Sequence, residues 1–212
     1  MTNIALDFVG NATAIFTYAA QLEGKGRTED DLAFMRNERE FRNLLLTEQP
    51  NGDFAQTIAR QFLFDTYMFY LYEGLKTSKD ETLNALATKA HKEITYHLRH
   101  TTEWMYRLGD GTEESHERIQ QAIDRLWMYT PDLFDADEVD QYLVKEGIIP
   151  DLSVVKGKWE DYVKKVISEA TLKLPVTNVK QKGSREGKHT EHLGFLLAEM
   201  QYVHRAYPGV KW

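Results

Sequence analysis

The chain has no cysteine. That absence removes disulfides, thiolate nucleophiles, cysteine-held zinc and iron–sulfur ligation together, and it is the composition expected in a reducing cytoplasm. Long apolar runs are missing as well. The most apolar stretch, residues 62–75, is interrupted by Asp65 and Glu73 and is shorter than the roughly 20 apolar residues a membrane span needs. The opening MTNIALDFVG lacks the basic flank and apolar core of an export signal. Basic charge is scarce: 26 Lys and Arg stand against 33 Asp and Glu, for a formal net charge of -7. Such a balance repels a phosphate backbone and argues against nucleic-acid partners. Period-two alternation and repeats of fixed length are also lacking, so a sheet or a solenoid is not expected.

What is present is helical periodicity nearly throughout. With 42% hydrophobic and 28% charged residues in 212, the chain has the composition of a globular protein with one core, and residues 1–212 are read as one domain. Apolar positions Ile4, Phe8, Ala12, Ile15, Ala19 and Leu22 predict a first helix ending at Gly24-Lys25-Gly26. Thr28 followed by Glu29, Asp30 and Asp31 predicts the start of a second, expected to run to about Thr47 before Gln49-Pro50-Asn51-Gly52. Asp53 is a natural N-cap for a helix through Leu75, and another follows from Asp80 to Gly109-Asp110-Gly111, where a glycine C-cap with positive φ is expected. Thr112 opens a helix that Pro131 should close. Asp135-Ala136-Asp137-Glu138 suggests a boxed start for a short helix ending at Gly147. Further helices are expected over about 153–170 and 190–206. Between them, residues 171–189 lack an apolar stripe and read as a long mobile loop. Long amphipathic helices on short turns pack as antiparallel neighbours, so the fold class is all-α, a four-helix bundle with short helices added.

Chemistry would sit where carboxylates fall inside apolar stripes, because an ionised carboxylate is costly to bury unless a cation, a metal or hydrogen-bond donors meet it. Asp65 lies on the stripe of Ile58, Phe62, Met68 and Tyr72; Glu93 shares one with Ala90, His97 and Trp104; Asp124 stands beside Ile123, one turn before Trp127. Di-iron bundles use a carboxylate from each of two helices and a Glu-x-x-His pair from each of the other two. Here Asp65-x-x-Met68 and Asp124-x-x-Trp127 imitate the carboxylate half, while a thioether and an indole, neither a ligand for hard iron, stand in place of imidazole. Asp65, Met68, Glu93, His97, Asp124 and Trp127 are therefore candidates for a vestigial site, with no metal expected. The plainer alternative is that these acids are salt-bridged or lie nearer the surface. A mononuclear site from Glu93, His97 and His100 with Asp65 is the remaining metal reading.

His91, His116, His189, His192 and His204 share no spacing that suggests catalysis. In the 171–189 segment Lys173, Lys180, Lys182, Arg185 and Lys188 face a single acid, Glu186. Such a run usually marks a solvated loop, and otherwise one that meets an acidic partner or the phosphates of a coenzyme. No glycine-rich phosphate loop follows a strand.

Three strings, FRNLLLTEQPNGDFAQTIARQFLFD, KEITYHLRHTTEWMYRLGDGTEESHERIQQAIDRLW and KHTEHLGFLLAEMQYVHRAYPGVKW, closely resemble the C-subunit family of bacterial phenylacetyl-CoA epoxidases, the ring-1,2-oxygenating complexes of aerobic phenylacetate degradation. The resemblance implies a ferritin-like helical subunit without cofactor or catalytic residue of its own. It also implies a homologous catalytic A subunit that holds the di-iron centre and binds acyl-CoA, and a reductase subunit that supplies electrons from NADPH. Members of that family are expected to carry a helical segment ahead of the position of Met1; without it, apolar surface at one edge would favour a homodimer or closer dependence on the partner. Two other functions stay open beside this one. One is a metalloenzyme acting through Asp65, Glu93, His97 and Asp124, and the other is a free-standing homo-oligomer unrelated to phenylacetate.

Overall fold

The computed structural model describes residues 1–210, and the last two residues of the third string above lie outside them. Among the described residues there are helices and no strands. The α-helices are α1 (Thr2–Glu23), α2 (Glu29–Phe34), α3 (Phe54–Leu75), α4 (Glu81–Gly109), α5 (Glu113–Leu126), α6 (Glu138–Glu146), α7 (Leu152–Glu169) and α8 (Glu191–Ala206). Their starts follow the expected chemistry. Side chains of Thr28, Asp53, Asp80, Thr112 and Asp137 accept from the backbone N–H of Asp31, Gln56, Leu83, Ser115 and Asp140, satisfying donors that have no partner inside the helix. Gly24 and Gly147 close α1 and α6 in the left-handed region.

α3 is the axis of the bundle. It packs against α4, α5 and α7, and Ile58, Phe62, Leu63, Met105, Ile119, Ile123, Leu126, Val163 and Ile167 make a continuous core among these four helices. α1 lies on α4, where Phe8 meets a second cluster of Tyr72, Ala87, Ala90 and Ile94. α8 sits over a third, built with Phe41, Leu193 and Leu197. The outward side of α1 leaves Leu6, Val9 and Leu22 exposed.

Three expectations need correction. The second helix stops at Phe34 instead of reaching Thr47. Asn37 N–H donates to Glu40 Oε2 (2.8 Å), and the two form a capping box around a 3₁₀ turn, Glu38–Glu40; local side-chain bonds of this kind compete with helix propagation. The Arg36 guanidinium, held over the rings of Phe16 and Phe41, fixes the chain where it turns away. Pro131 does not terminate α5 directly: the helix passes at Trp127 into a 3₁₀ segment, Trp127–Phe134, that contains the proline. Gly109 is no left-handed C-cap, since the residue after it caps the helix with negative φ. The site needs glycine because a Cβ there would collide with the backbone carbonyl of Ala170, at the point where α4 touches the end of α7.

The 171–189 segment is a strap tied to the bundle near its start and from Gln181 onward. At its start Lys173 N–H donates to Gln120 Oε1 (2.8 Å) and the Lys173 carbonyl accepts from Gln120 Nε2 (3.0 Å). Gln181 N–H donates to the Met128 carbonyl (2.8 Å). Farther on, Asp132, buried in the 3₁₀ segment, accepts through Oδ1 from Gly183 N–H (3.1 Å) and Ser184 N–H (3.2 Å), and through Oδ2 from Leu45 N–H (3.0 Å). Three backbone donors are what an ionised buried carboxylate requires. Basic residues of the strap answer acids of the same chain: Lys182 pairs with Asp135 (2.5 Å), Arg185 with Asp140 (3.3 Å) and Lys188 with Glu186.

Replacing Asp132 by Ala leaves those three amide groups buried without acceptors. The expected result is a loss of about 3 kcal/mol or more of unfolding free energy, with new protease cleavage within 174–190. Denaturant melts and mass mapping of the first cuts check both.

Candidate functional site

α1 and α4 run antiparallel, and each offers two polar residues spaced by four, so the pairs meet in order. His97 Nε2 lies 2.8 Å from Asp7 Oδ2, and Asn11 Nδ2 donates to Glu93 Oε2 at 2.9 Å. The His97 ring is buried with 1% exposure, whereas Asp7 keeps 39%, so this pair reaches solvent from one side. Phe8 covers the imidazole at 5.3 Å between ring centres. His97 Nδ1 is buried without a hydrogen-bond partner in the structure.

Asp65 lies deeper. It projects from α3 into the bundle with no exposed surface. Gln61 Nε2 is 2.6 Å from Oδ1, and Thr101 Oγ1, on α4, is 3.2 Å from Oδ2 and 3.1 Å from the His97 carbonyl. Burial pushes the Asp65 carboxyl up to about 8, against the weaker opposing effect of hydrogen bonds from Gln61 and Thr101. Gln61 Nε2 donates to Oδ1 and Thr101 Oγ1 donates to Oδ2, while the same hydroxyl lies within reach of the His97 carbonyl. No cation takes part.

The remaining candidates do not join this group. Asp124 is exposed on α5 and accepts from Gln120 Nε2 (3.0 Å); the stripe expected to bury it faces the core through Ile119, Ala122, Ile123 and Leu126, and Asp124 falls just off that face. Met68 packs half-buried against the core. Trp127 lies against Trp159 with ring centres 5.8 Å apart. His100 neighbours Trp104 at 6.5 Å, and burial lowers its pKa. Among the described residues no three His, Asp or Glu side chains are placed to hold a metal.

A di-iron centre needs four carboxylates and two imidazoles converging between helices. Here Asp65 is turned to Thr101 and Gln61, Glu93 to Asn11, and Asp124 to the surface, and Met68 and Trp127 stand where the pattern calls for nitrogen donors. These residues do not fit the group. The arrangement can hold a proton on Asp65 and tie α1, α3 and α4 together.

Two buried acids outside that pattern are equally well answered. One is Asp132, described above. The other, Glu48, with no exposed side-chain surface, accepts from Asn43 Nδ2 (3.0 Å), Thr190 N–H (2.8 Å) and Thr190 Oγ1 (2.7 Å), and it lies 2.6 Å from His189 Nδ1. His189 Nε2 is 3.2 Å from the Phe41 carbonyl, so both ring nitrogens have an oxygen partner. Neither this clasp nor Asp132 is recognisable as a site in the sequence. Glu48 ends a short 3₁₀ turn, Leu45–Glu48, and its partner is 141 residues away. Asp7 and Asn11 do leave a signal, two polar residues spaced by four within the stripe of α1.

An all-helical bundle built around α3 defines the fold class, and comparison with known proteins gives the family. The chain belongs to the family described as phenylacetic acid catabolic protein, whose model matches residues 1–212, and its fold is the ferritin-like helical one of that family. Within it the chain is similar to the C subunit of the 1,2-phenylacetyl-CoA epoxidase of Escherichia coli strain K12, at 50% identity over 212 residues, covering 100% of this chain and 85% of the relative.

The Asp65 carboxyl sets a pH dependence whose sign is fixed. Unfolded, the group titrates near its ordinary 3.8; folded, it keeps its proton to about 8. Between those values the unfolded chain releases a proton that the folded chain retains, so this group's contribution to stability falls as pH rises and levels off above the folded value. Asp65→Asn keeps the shape and cannot ionise. It should be close to neutral near pH 4 and more stable than the parent by a few kcal/mol at pH 8–9, at about 1.4 kcal/mol per pKa unit. Chemical melts of both proteins across that range provide the check.

Proposed function

We propose that the chain is the non-catalytic helical subunit of a phenylacetyl-CoA epoxidase, a scaffold for a homologous catalytic A subunit that carries the di-iron centre. The observation that supports this most directly is the way each candidate ligand is already partnered. Asp65 is bonded to Thr101 and Gln61 in a site that pushes its carboxyl up to about 8, Glu93 is bonded to Asn11, and His97 is paired with Asp7. An iron ion would have to displace these bonds and deprotonate a group that burial keeps protonated. The similarity to the C subunit of the Escherichia coli epoxidase supplies the assembly and the reaction.

On this reading the catalytic partner binds the acyl-CoA and inserts oxygen. NADPH is used through a reductase subunit, and this chain works by its surface. The place of action is the cytoplasm; no described helix is long and apolar enough to cross a membrane. Isolated, the chain can form a homodimer through the exposed apolar residues of α1.

Co-expression with the catalytic partner should give a complex that survives size exclusion. The isolated chain should hold well under one iron per chain and show no oxygenation of phenylacetyl-CoA. About two irons per chain, lost in the Asp65→Ala, Glu93→Ala double variant, would replace this reading with that of a metalloenzyme in its own right. Failure to associate with the catalytic partner would replace it with that of a free-standing oligomer.

A further inference from the structure

Between the 3₁₀ segment after α5, the outer side of α7 and the start of the strap lies a cleft of about 320 Å³. Its apolar lining is aromatic at the base: Trp127 and Phe134 each pack on Trp159, at 5.8 and 5.4 Å between ring centres. The Trp159 indole N–H is used by the Leu63 carbonyl (3.0 Å), so that ring is fixed, while Trp127 is only half-buried. Leu174 and Pro175 form a wall. They are held in place because the strap is tied on both sides of them, at Lys173 to Gln120 and at Gln181 to Met128.

The mouth is cationic in an acidic protein. Lys156, Lys164 and Lys180 line it against one carboxylate, Glu160. That single acid is shared by Lys156 (3.4 Å) and Lys164 (3.3 Å). Lys180 has no ion-pair partner among the described residues, although its strap neighbours Lys182, Arg185 and Lys188 are each paired with an acid. Excess positive charge therefore remains here after the ion pairs of the rest of the strap are made.

We propose that this cleft binds a planar aromatic anion of the phosphorylated-nucleoside class, with its base against Trp127 and the Leu174–Pro175 wall and its phosphates between Lys180 and the α7 lysines. Aromatic side chains stack bases of any identity through their faces, and lysine meets phosphate as a mobile point charge. Ammonium groups reach the mouth from two separate elements, which suits a ligand with more than one anionic group better than a single carboxylate. The site is independent of the subunit reading and uses none of the residues around Asp65.

Isothermal titration of the full chain with adenosine 3′,5′-bisphosphate at low salt tests it. Saturable binding at one site is expected, weakened about tenfold by Lys180→Glu, as for loss of a charge-assisted contact, and weakened again at high salt. Adenosine alone and inorganic phosphate alone should each bind at least about tenfold more weakly than the bisphosphate, for the same loss of one half of the contacts. Trp127→Phe, with its melting curve checked against the parent, should retain the fold and change the heat of binding. Absence of saturable binding overturns the proposal. So does affinity unchanged in a Lys156→Glu, Lys180→Glu double variant, or inorganic phosphate binding as tightly as the nucleotide, which would make it an anion patch without an aromatic subsite.

Discussion

Taking a carboxylate out of water costs several kcal/mol unless its charge is cancelled or fully hydrogen-bonded, and the organisation of this bundle follows from the three ways it meets that constraint. Asp65, in the middle of α3, gives up its charge and is pushed up to about 8. Asp132 is wrapped by the amides of Leu45, Gly183 and Ser184. Glu48 is met by His189 and by the amide and hydroxyl of Thr190. The first answer seals the core. The other two bind segments that have little apolar surface of their own, the turns of residues 38–48 and the strap before α8, onto the bundle.

The same constraint explains what can be read from the sequence. α3, α4, α7 and α8 are legible because their apolar periodicity is long and turn residues bound them, and the acids in their stripes are legible as anomalies. The partners of those acids are not. Asp7 meets His97 across 90 residues, and Glu48 meets His189 across 141; such pairings are decided by which helix lies on which, a tertiary fact with no local period. Asp124 shows the error in the other direction. Its neighbour Ile123 is in the core, but one residue on a helix is a rotation of about 100°, enough to carry a side chain from the interior to water.

The strap departs from the loop its sequence suggests for a related reason. Its composition is that of a solvated loop, with lysines, glycines and no stripe, and composition counts the charges without showing what they face. In the folded chain Asp135, Asp140 and Glu186 take up Lys182, Arg185 and Lys188, and Asp132 takes up the backbone. α2 departs in the opposite sense: its residues could continue a helix, but Asn37 and Glu40 offer each other's backbone a better local bond.

Acids inside an apolar helical stripe can serve a purpose other than metal. The ladder of Asp7–His97 and Asn11–Glu93 fixes the register of α1 on α4, and the Gln61–Asp65–Thr101 chain fixes α3 on α4. Hydrophobic contacts tolerate sliding by a helical turn, whereas a buried donor that loses its acceptor does not. Polar pairs inside the bundle therefore specify one alignment of the helices. In the proposed role of a scaffold subunit, the shape of the surface depends on that alignment. Met68 and Trp127 fit this use, since a thioether and an indole fill space against the core at those positions while Asp65 serves the fold and Asp124 the surface.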